Sequence, residues 1–456
     1  MITYPEIVFE NVTFGAEDIR DCTIVEDFNP LAITVPINTM DLTLYSDAGG
    51  FTIINPSGVY EPLLTRQPMA VYINIDGQRH FVGQYFMDAW ENQSENLISF
   101  TCIDALGLLD KDYYKGGLWL TPIKAGVILD DIFAQAGLDV MIDDQVYDVE
   151  LTGWLPIMKY RAAVQQVCFA AGGYVRSSRQ SVVKIGKMGF ISQRQAGVRT
   201  GVAGVGQSRV YQMRWRGNVM ISFEGTGIAT TGIKSGVASV GQSQTYQRRW
   251  RAAQWEGTEY YREVMNSEQG ADRVLTLREK VTGVEIVMHH FTPGDGERKL
   301  FEGTLASGVY PVEFSQPMHT LTVEGATIVE SSANHAVLEV SAPGEVRLTG
   351  MVYNDLISTI AINAPISSHD KPSVIRVDDA TLVNSSNGAE IAQRVFDYYQ
   401  QRYKKKMRLF GSALSAGNIV QVETLYGNTL FGVIEHAEID LAGGSLVDAE
   451  VIGVVV

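Results

Sequence analysis

The residues able to do chemistry are scattered along the chain. The seven histidines, His80, His289, His290, His319, His335, His369 and His436, include no H-E-x-x-H arrangement that would set two ligands one helical turn apart. His289-His290 is the adjacent pair, and neighbouring side chains on a strand point to opposite faces, so joint metal binding is not expected. The three cysteines, Cys22, Cys102 and Cys168, are far apart and lack C-x-x-C spacing, which argues against a thiolate zinc site. Their odd number fits ordinary buried thiols in a reducing compartment. Cys168 falls on an apolar helical stripe, where an inert thiol is expected rather than a nucleophile. Carboxylates cluster at Asp130-Asp131, Asp143-Asp144 and Asp378-Asp379, on a helix face and at turns, where solvated acids are the expectation. Glycoside hydrolysis needs two carboxyls facing each other across a cleft, and a pair drawn from distant residues stays open on residue types alone. No G-x-x-x-x-G-K-[ST] loop occurs, and Gly204-Val205-Gly206 is flanked by strands rather than by the strand and helix of a dinucleotide site. No catalytic residue, cofactor or metal is therefore expected.

One basic and aromatic feature stands out. Residues 197–216, GVRTGVAGVGQSRVYQMRWR, are nearly repeated at 232–251, GIKSGVASVGQSQTYQRRWR, an offset of 35. Two copies are too few for a solenoid, so a duplicated hairpin is expected. The repeat gathers Arg209, Tyr211, Arg214, Trp215 and Arg216 in one copy and Tyr246, Arg248, Arg249, Trp250 and Arg251 in the other. Arg and Trp are favoured at the centres of protein interfaces. They also stack on bases or on one another in cation–π ladders. In a chain of net charge −16 the protein interface is the preferred reading, because acidic surfaces repel nucleic acid.

The elements that must carry these residues are mostly strands. The 456 residues suggest two to four domains, and 45 % apolar content supplies a large core. The opening MITYPEIVFE has no basic stretch before an apolar one, so no secretory leader is expected. No run approaches the length of a membrane-spanning helix. Val71, Ile73 and Ile75 alternate up to an Asp76-Gly77 hairpin turn, and Phe81 restarts the strand. Two helices follow. The first has Ile128, Leu129, Ile132, Phe133 and Ala136 on one face, Pro122 near its start and Gly137 at its end. The second shows Tyr160, Ala163, Val164, Val167, Cys168 and Ala171, and stops at Gly172-Gly173. Tyr174-Val175 and Val182–Ile185 read as a hairpin. Segment 281–362 returns to strands. A third helix is expected over 387–405, with Asn387 and Glu390 as a capping box, Ile391, Val395 and Tyr399 buried, and Lys404-Lys405-Lys406 at its negative end. The last forty residues alternate around a Gly427-Asn428 turn. The expected class is mainly β with minor α (α+β), divided as 1–110, a β domain; 111–190, an α/β insert with two helices; 191–370, a second β domain holding the repeat; and 371–456, a helix with a C-terminal β-barrel segment.

This order resembles the baseplate hub, or tail-tip hub, proteins of tailed phages and related contractile particles. The resemblance rests on Phe100-Thr101-Cys102-Ile103-Asp104-Ala105, and on Ala162-Ala163-Val164-Gln165 leading through Gly172-Gly173-Tyr174-Val175 to Val183-Lys184-Ile185. It continues in Ile391-Ala392 to Asp397-Tyr398-Tyr399, then Gly417-Asn418-Ile419-Val420 and Gly432-Val433-Ile434-Glu435. The family often has an acid where Asn418 stands. The likeness covers 1–185 and 265–456, and the repeat departs from it. It implies tail-tube-like β-barrel domains, two per chain, so that a homotrimer presents a pseudo-sixfold ring. Such a ring would join the tail tube protein to a spike or central fibre protein, with the tape-measure protein and other baseplate proteins as neighbours. DNA would be passing cargo only. The implied location is the virion tail of a phage, or a phage-tail-like particle such as a tailocin. A receptor- or carbohydrate-binding baseplate protein and a peptidoglycan hydrolase are the alternatives.

Overall fold

The computed structural model describes residues 3–9, 12–45, 66–110, 112–188, 210–221, 228–239, 262–270, 273–365, 371–410 and 414–455. These residues are mostly strand, with five helices among them. None of those helices is long and apolar enough to cross a membrane.

The largest element is a 13-stranded sheet drawn from both ends of the chain. Local alternation explains its N-terminal part. Pro68–Ile75 and Gln78–Ser94 pair across a two-residue turn in which Asp76 and Gly77 both have positive φ, 47° and 84°. That is the turn whose twist matches the flanking strands. In Thr39–Tyr45 the residues Met40, Leu42 and Leu44 are buried while Asp41 is exposed. The C-terminal part comprises Tyr403–Phe410, Ile419–Glu423, Thr429–Asp440 and Leu446–Val455, joined by Arg262–Val264 and Val274–Leu277. The two parts meet where Thr429–Asp440 pairs antiparallel with Ile19–Asp27, His436 opposite Asp27 and Asp440 opposite Thr23. One apolar cluster lies under both parts, including Ile24, Met40, Leu42 and Phe100 from the first and Met407, Val420, Ile439 and Val451 from the second. Each such side chain, fully buried, contributes roughly 1.5–3 kcal/mol, so the halves share a core as well as a ladder. Among the described residues no sheet closes on itself.

A helical layer packs beside this sheet. Ala125–Ala136 buries Ile128, Leu129, Ile132 and Phe133 and ends at Gly137 in the left-handed conformation. Tyr160–Ala170 buries Tyr160, Ala163, Val164, Val167 and Cys168. Gly173–Ser177 and Val182–Lys187 form the hairpin read from sequence. The third helix, Gly388–Tyr399, buries Ile391 and Val395 in the same core. Beyond it, Gly283–Leu305 and Gly344–Asn363 form a long antiparallel ribbon that carries a small β module with its own core of Phe314, Met318, Leu338 and Leu348.

Three local expectations fail. Pro122 lies in the strand Gly117–Lys124, not at a helix start. Asn387 makes no side-chain cap, because its Oδ1 accepts from the Asn384 N–H and its Nδ2 donates to the carbonyls of Ala170 and Leu382. The Lys404-Lys405-Lys406 run belongs to the strand Tyr403–Phe410, past the helix end. There Lys405 turns inward, 2 % exposed, and donates to the Glu423 carbonyl, while Lys406 faces outward.

Candidate assembly surface

The composite sheet has one face on its core; the other is covered by the helical layer at Phe86, Ile103, Phe431 and Val433 and open at Asp21, Asp41 and Glu438. Strand periodicity and register fix which side chains stand on the open face. Asp41 lies opposite Thr23 on one side and Thr101 on the other, and Thr23 in turn opposes Asp440. The next rows set Glu438 between Val25 and Asp448, and His436 between Asp27 and Glu450. Asp21 and Glu91 extend the acid surface further along the N-terminal part. Basic partners sit towards one edge. Arg408 binds Asp448 bidentately at 2.7 and 2.6 Å, and Lys404 and Lys406 both pair with Glu450. The middle of the face, with Asp21, Asp41, Glu438 and Asp440, is mostly carboxylates and hydroxyls, and the basic side chain on the Glu438 row, Arg408, is already held by Asp448. Thr43 and Ser99 share a hydrogen bond of 2.9 Å there. A surface of this kind is wetted, carries a negative potential and repels polyanions.

Several of the residues that carried the family resemblance gather at a different place, the seam where the two parts of the sheet meet the helical layer. Tyr174 packs edge-on against Phe28, centroids 5.4 Å apart, in a cluster with Ile419, Phe431 and Val433. Gly417 has φ +87°, and a Cβ there would stand 2.8 Å from Arg176 Nη1. Asn418 accepts from the Ser415 N–H at 3.0 Å, so a local turn accounts for the polar residue at this position. Tyr398 donates to Glu435 at 2.8 Å. Burial pushes the Glu435 carboxyl up to about 7, against the opposing pull of the Arg278 guanidinium. The strongest tie was invisible in sequence. Glu26, 2 % exposed, accepts two hydrogen bonds from Arg179, at 2.5 and 2.8 Å, and one from the Ala416 N–H at 3.1 Å. Arg179 also donates to the Leu414 carbonyl at 3.0 Å. One ion pair thus clamps the sheet, the 173–187 hairpin and the 414–418 turn.

Asp104, within the Cys/Asp-Ala motif, caps the short helix Ala105–Leu108 by accepting from the Leu106 and Gly107 N–H groups at 3.0 and 3.3 Å. Its other oxygen is buried without a hydrogen-bond partner. Burial raises this carboxyl from 3.8 to about 7, more than the backbone donors lower it. A folded-state value above the unfolded one means that folding loses stability as pH rises through that interval. Asp104→Asn keeps the capping acceptor and removes the charge. We expect the variant to match the wild type near pH 4 and to exceed it increasingly towards pH 7.5, measured by urea midpoints. An unchanged gap across that range would contradict this role.

The other candidate groups have structural partners. Asp131 accepts from Tyr114 and Gln135, and Asp130 from Tyr147. Asp143 caps the turn Asp144–Tyr147, and Asp378 lies 3.5 Å from Arg376. His289 is buried and binds Asp355 at 2.7 Å, while His290 points to the exposed side. Cys22, Cys102 and Cys168 are buried free thiols, and burial pushes all three far above the ordinary thiol range. Among the described residues no group of three or more His, Cys, Asp or Glu side chains is placed to hold a metal ion. Of the Arg/Trp repeat, Tyr211, Arg214, Trp215 and Arg216 lie on the strand Val210–Ile221, which pairs with Ile228–Ser239 so that Trp215 opposes Lys234. This hairpin joins the second half of one copy to the first half of the other. Arg209, Tyr246, Arg248, Arg249, Trp250 and Arg251 lie outside the described residues.

No protein-family model matches the sequence, and no curated protein matches it. Solved structures do. A tail protein from Neisseria meningitidis MC58 superposes with a TM-score of 0.50 at 9 % identity, over 99 % of this chain and 97 % of its own. The 43 kDa tail protein of prophage MuSo2 from Shewanella oneidensis gives 0.47 at 9 % identity, over 99 % and 98 %. A prophage tail protein from Listeria monocytogenes EGD-e gives 0.45 at 7 % identity, over 98 % and 94 %. Because the Neisseria match spans both chains almost end to end, this chain has the fold of a tail protein, as its sequence motifs implied.

Proposed function

We propose that this chain is a structural, non-enzymatic hub at the tail tip or baseplate of a phage or phage-tail-like particle. In this reading three copies form a pseudo-sixfold ring. The ring joins the tail tube protein to a spike or central fibre protein and leaves an axial channel. The tape-measure protein and other baseplate proteins are its neighbours, and DNA is passing cargo. The observation that carries the reading is the composite sheet. Both ends of the chain contribute a block of strands to it, and the reading takes these two blocks as the two units per copy with which a threefold assembly would face a sixfold tube. Among the described residues the sheet's path of strands ends at Val274–Leu277 on one side and at Val12–Phe14 on the other, edges that call for partners. Its open face presents carboxylates where a channel would need to repel DNA. Light scattering on the purified chain tests the assembly. The reading expects a three-copy mass, or recruitment into three-copy rings on adding tube and spike proteins. A monomer at high concentration that joins neither would contradict it.

A further inference from the structure

The ribbon that carries the β module has an edge of its own. In the sheet ordered Met318–Glu324, Gly344–Asn363, Gly283–Leu305, Val374–Val377, the strand Met318–Glu324 covers Gly344–Asn363 only as far as Val352. From Asn354 to Asn363 no described strand pairs with the outer side of that strand. The segment Leu356–Asn363, LISTIAIN, contains no charge and no proline. Leu356 and Ile357 are 59 % and 64 % exposed. Soluble proteins protect such edges with lysine, proline or bulges, because bare strand edges recruit other strands. This edge has none of those devices. It also differs from the open face of the composite sheet, which presents Asp21, Asp41 and Glu438.

The opposite edge of the same sheet is open as well. Val374–Val377 pairs with Gly283–Ile286 on its inner side and with no described strand on its outer side. The two edges lie at one level. Glu285 stands between Ala361 on one strand and Arg376 on the other, and Val284 between Ile362 and Ile375. Gly344–Asn363 runs antiparallel to Gly283–Leu305, and Val374–Val377 runs parallel to it. Copies related by rotation about an axis roughly along the strands would therefore meet with these edges antiparallel. Two different, level, opposed edges are what a head-to-tail contact that closes into a ring requires. Arg376, the charged residue on the second edge, already lies 4.0 Å from Glu285 and 3.5 Å from Asp378. It therefore brings no uncompensated charge to the apolar edge.

We propose that the Leu356–Asn363 edge of one copy pairs antiparallel with the Val374–Val377 edge of the next copy, joining these four-stranded sheets head to tail around the assembly. A second copy is the occupant because it satisfies both edges at once, whereas a foreign strand at one edge leaves the other bare. The contact rests on the ring reading above and deepens it by naming an interface.

Cysteine cross-linking tests it. Thr359→Cys, Ala361→Cys and Asn363→Cys, each combined with Arg376→Cys, sample registers two residues apart on one face. Within one copy, Ala361 and Arg376 are separated by an intervening strand, about 10 Å, beyond the roughly 7 Å limit for a disulfide. Any bridge between them is therefore intermolecular, and the native thiols are buried. On mild oxidation at least one pair should give covalent dimers and trimers, with the trimer as the largest product. Each single-cysteine variant should stay uncrosslinked. Ser358→Lys, at an exposed position, should lower the oligomer fraction at least tenfold without changing the far-ultraviolet spectrum. Dimers from Ala361→Cys alone would mean symmetric edge pairing and overturn the contact. A trimer by mass that no pair cross-links, and that Ser358→Lys leaves intact, would overturn this contact while leaving the ring standing. A monomer throughout would overturn both.

Discussion

Glu26→Ala is expected to destabilise the protein by about 3–5 kcal/mol, the range for removing one partner of a buried ion pair. The effect comes from what is left behind. Arg179 would keep its charge with only the Leu414 carbonyl to receive it, and the Ala416 N–H would lose its acceptor. The lost clamp spans three segments far apart in sequence, so the segments should loosen together. Hydrogen exchange should rise in the 173–187 hairpin and the 414–418 turn as well as around Glu26. The double variant Glu26→Leu, Arg179→Met should recover much of the loss, because it replaces both charges with apolar volume instead of stranding one. Urea unfolding checks both. A Glu26→Ala variant within about 0.5 kcal/mol of wild type, the spread of ordinary surface substitutions, would show that the clamp contributes little.

The second large effect concerns the open face. Asp21, Asp41 and Glu438 are exposed there, and replacing all three by lysine shifts the face by about six charge units, two per site. The wild-type chain should leave duplex DNA unretarded at physiological salt. The triple variant should bind it without sequence preference, with a dissociation constant in the range of roughly 10⁻⁴ to 10⁻⁶ M that weakens steeply as salt is raised. Binding by the wild type, or none by the variant in low salt, would remove the argument that this face keeps DNA moving. Among the described residues the three positions make no ion pair, and the one side-chain hydrogen bond given up is that from Thr101 Oγ1 to Asp41, so the substitutions test chiefly the surface.

Much of the local architecture was legible in sequence for identifiable reasons. Asp76-Gly77 announced a hairpin because few other residue pairs accept positive φ twice in succession. The stripes Ile128–Phe133 and Tyr160–Cys168 announced helices because both place apolar residues at helical spacing. The misreadings came where a local signal had a second use. Asn387 three residues before Glu390 spells a capping box, yet tertiary partners claim the Asn387 side chain. Lys404-Lys405-Lys406 suits the negative end of a helix, but it alternates across a strand and buries its middle member. The acid face and the ion pair at the seam were not legible at all. Asp41, Glu438 and Asp440 become neighbours only because a strand from the chain's end pairs with one from its beginning. Glu26 and Arg179 meet across 153 residues, with no periodicity to betray them. Several residues of the motifs that suggested the family sit at the seam, which explains their form. A left-handed glycine, an edge-on tyrosine and a capping aspartate are what close packing of a helical layer on a sheet demands.

The most direct test of the account is a subunit-resolved image of the assembled particle. The account predicts three copies of this chain on the tail axis, between tube and spike, with Asp21, Asp41 and Glu438 turned towards the channel. A chain found at the periphery, or an axial chain whose carboxylate face is packed against another protein, would contradict it.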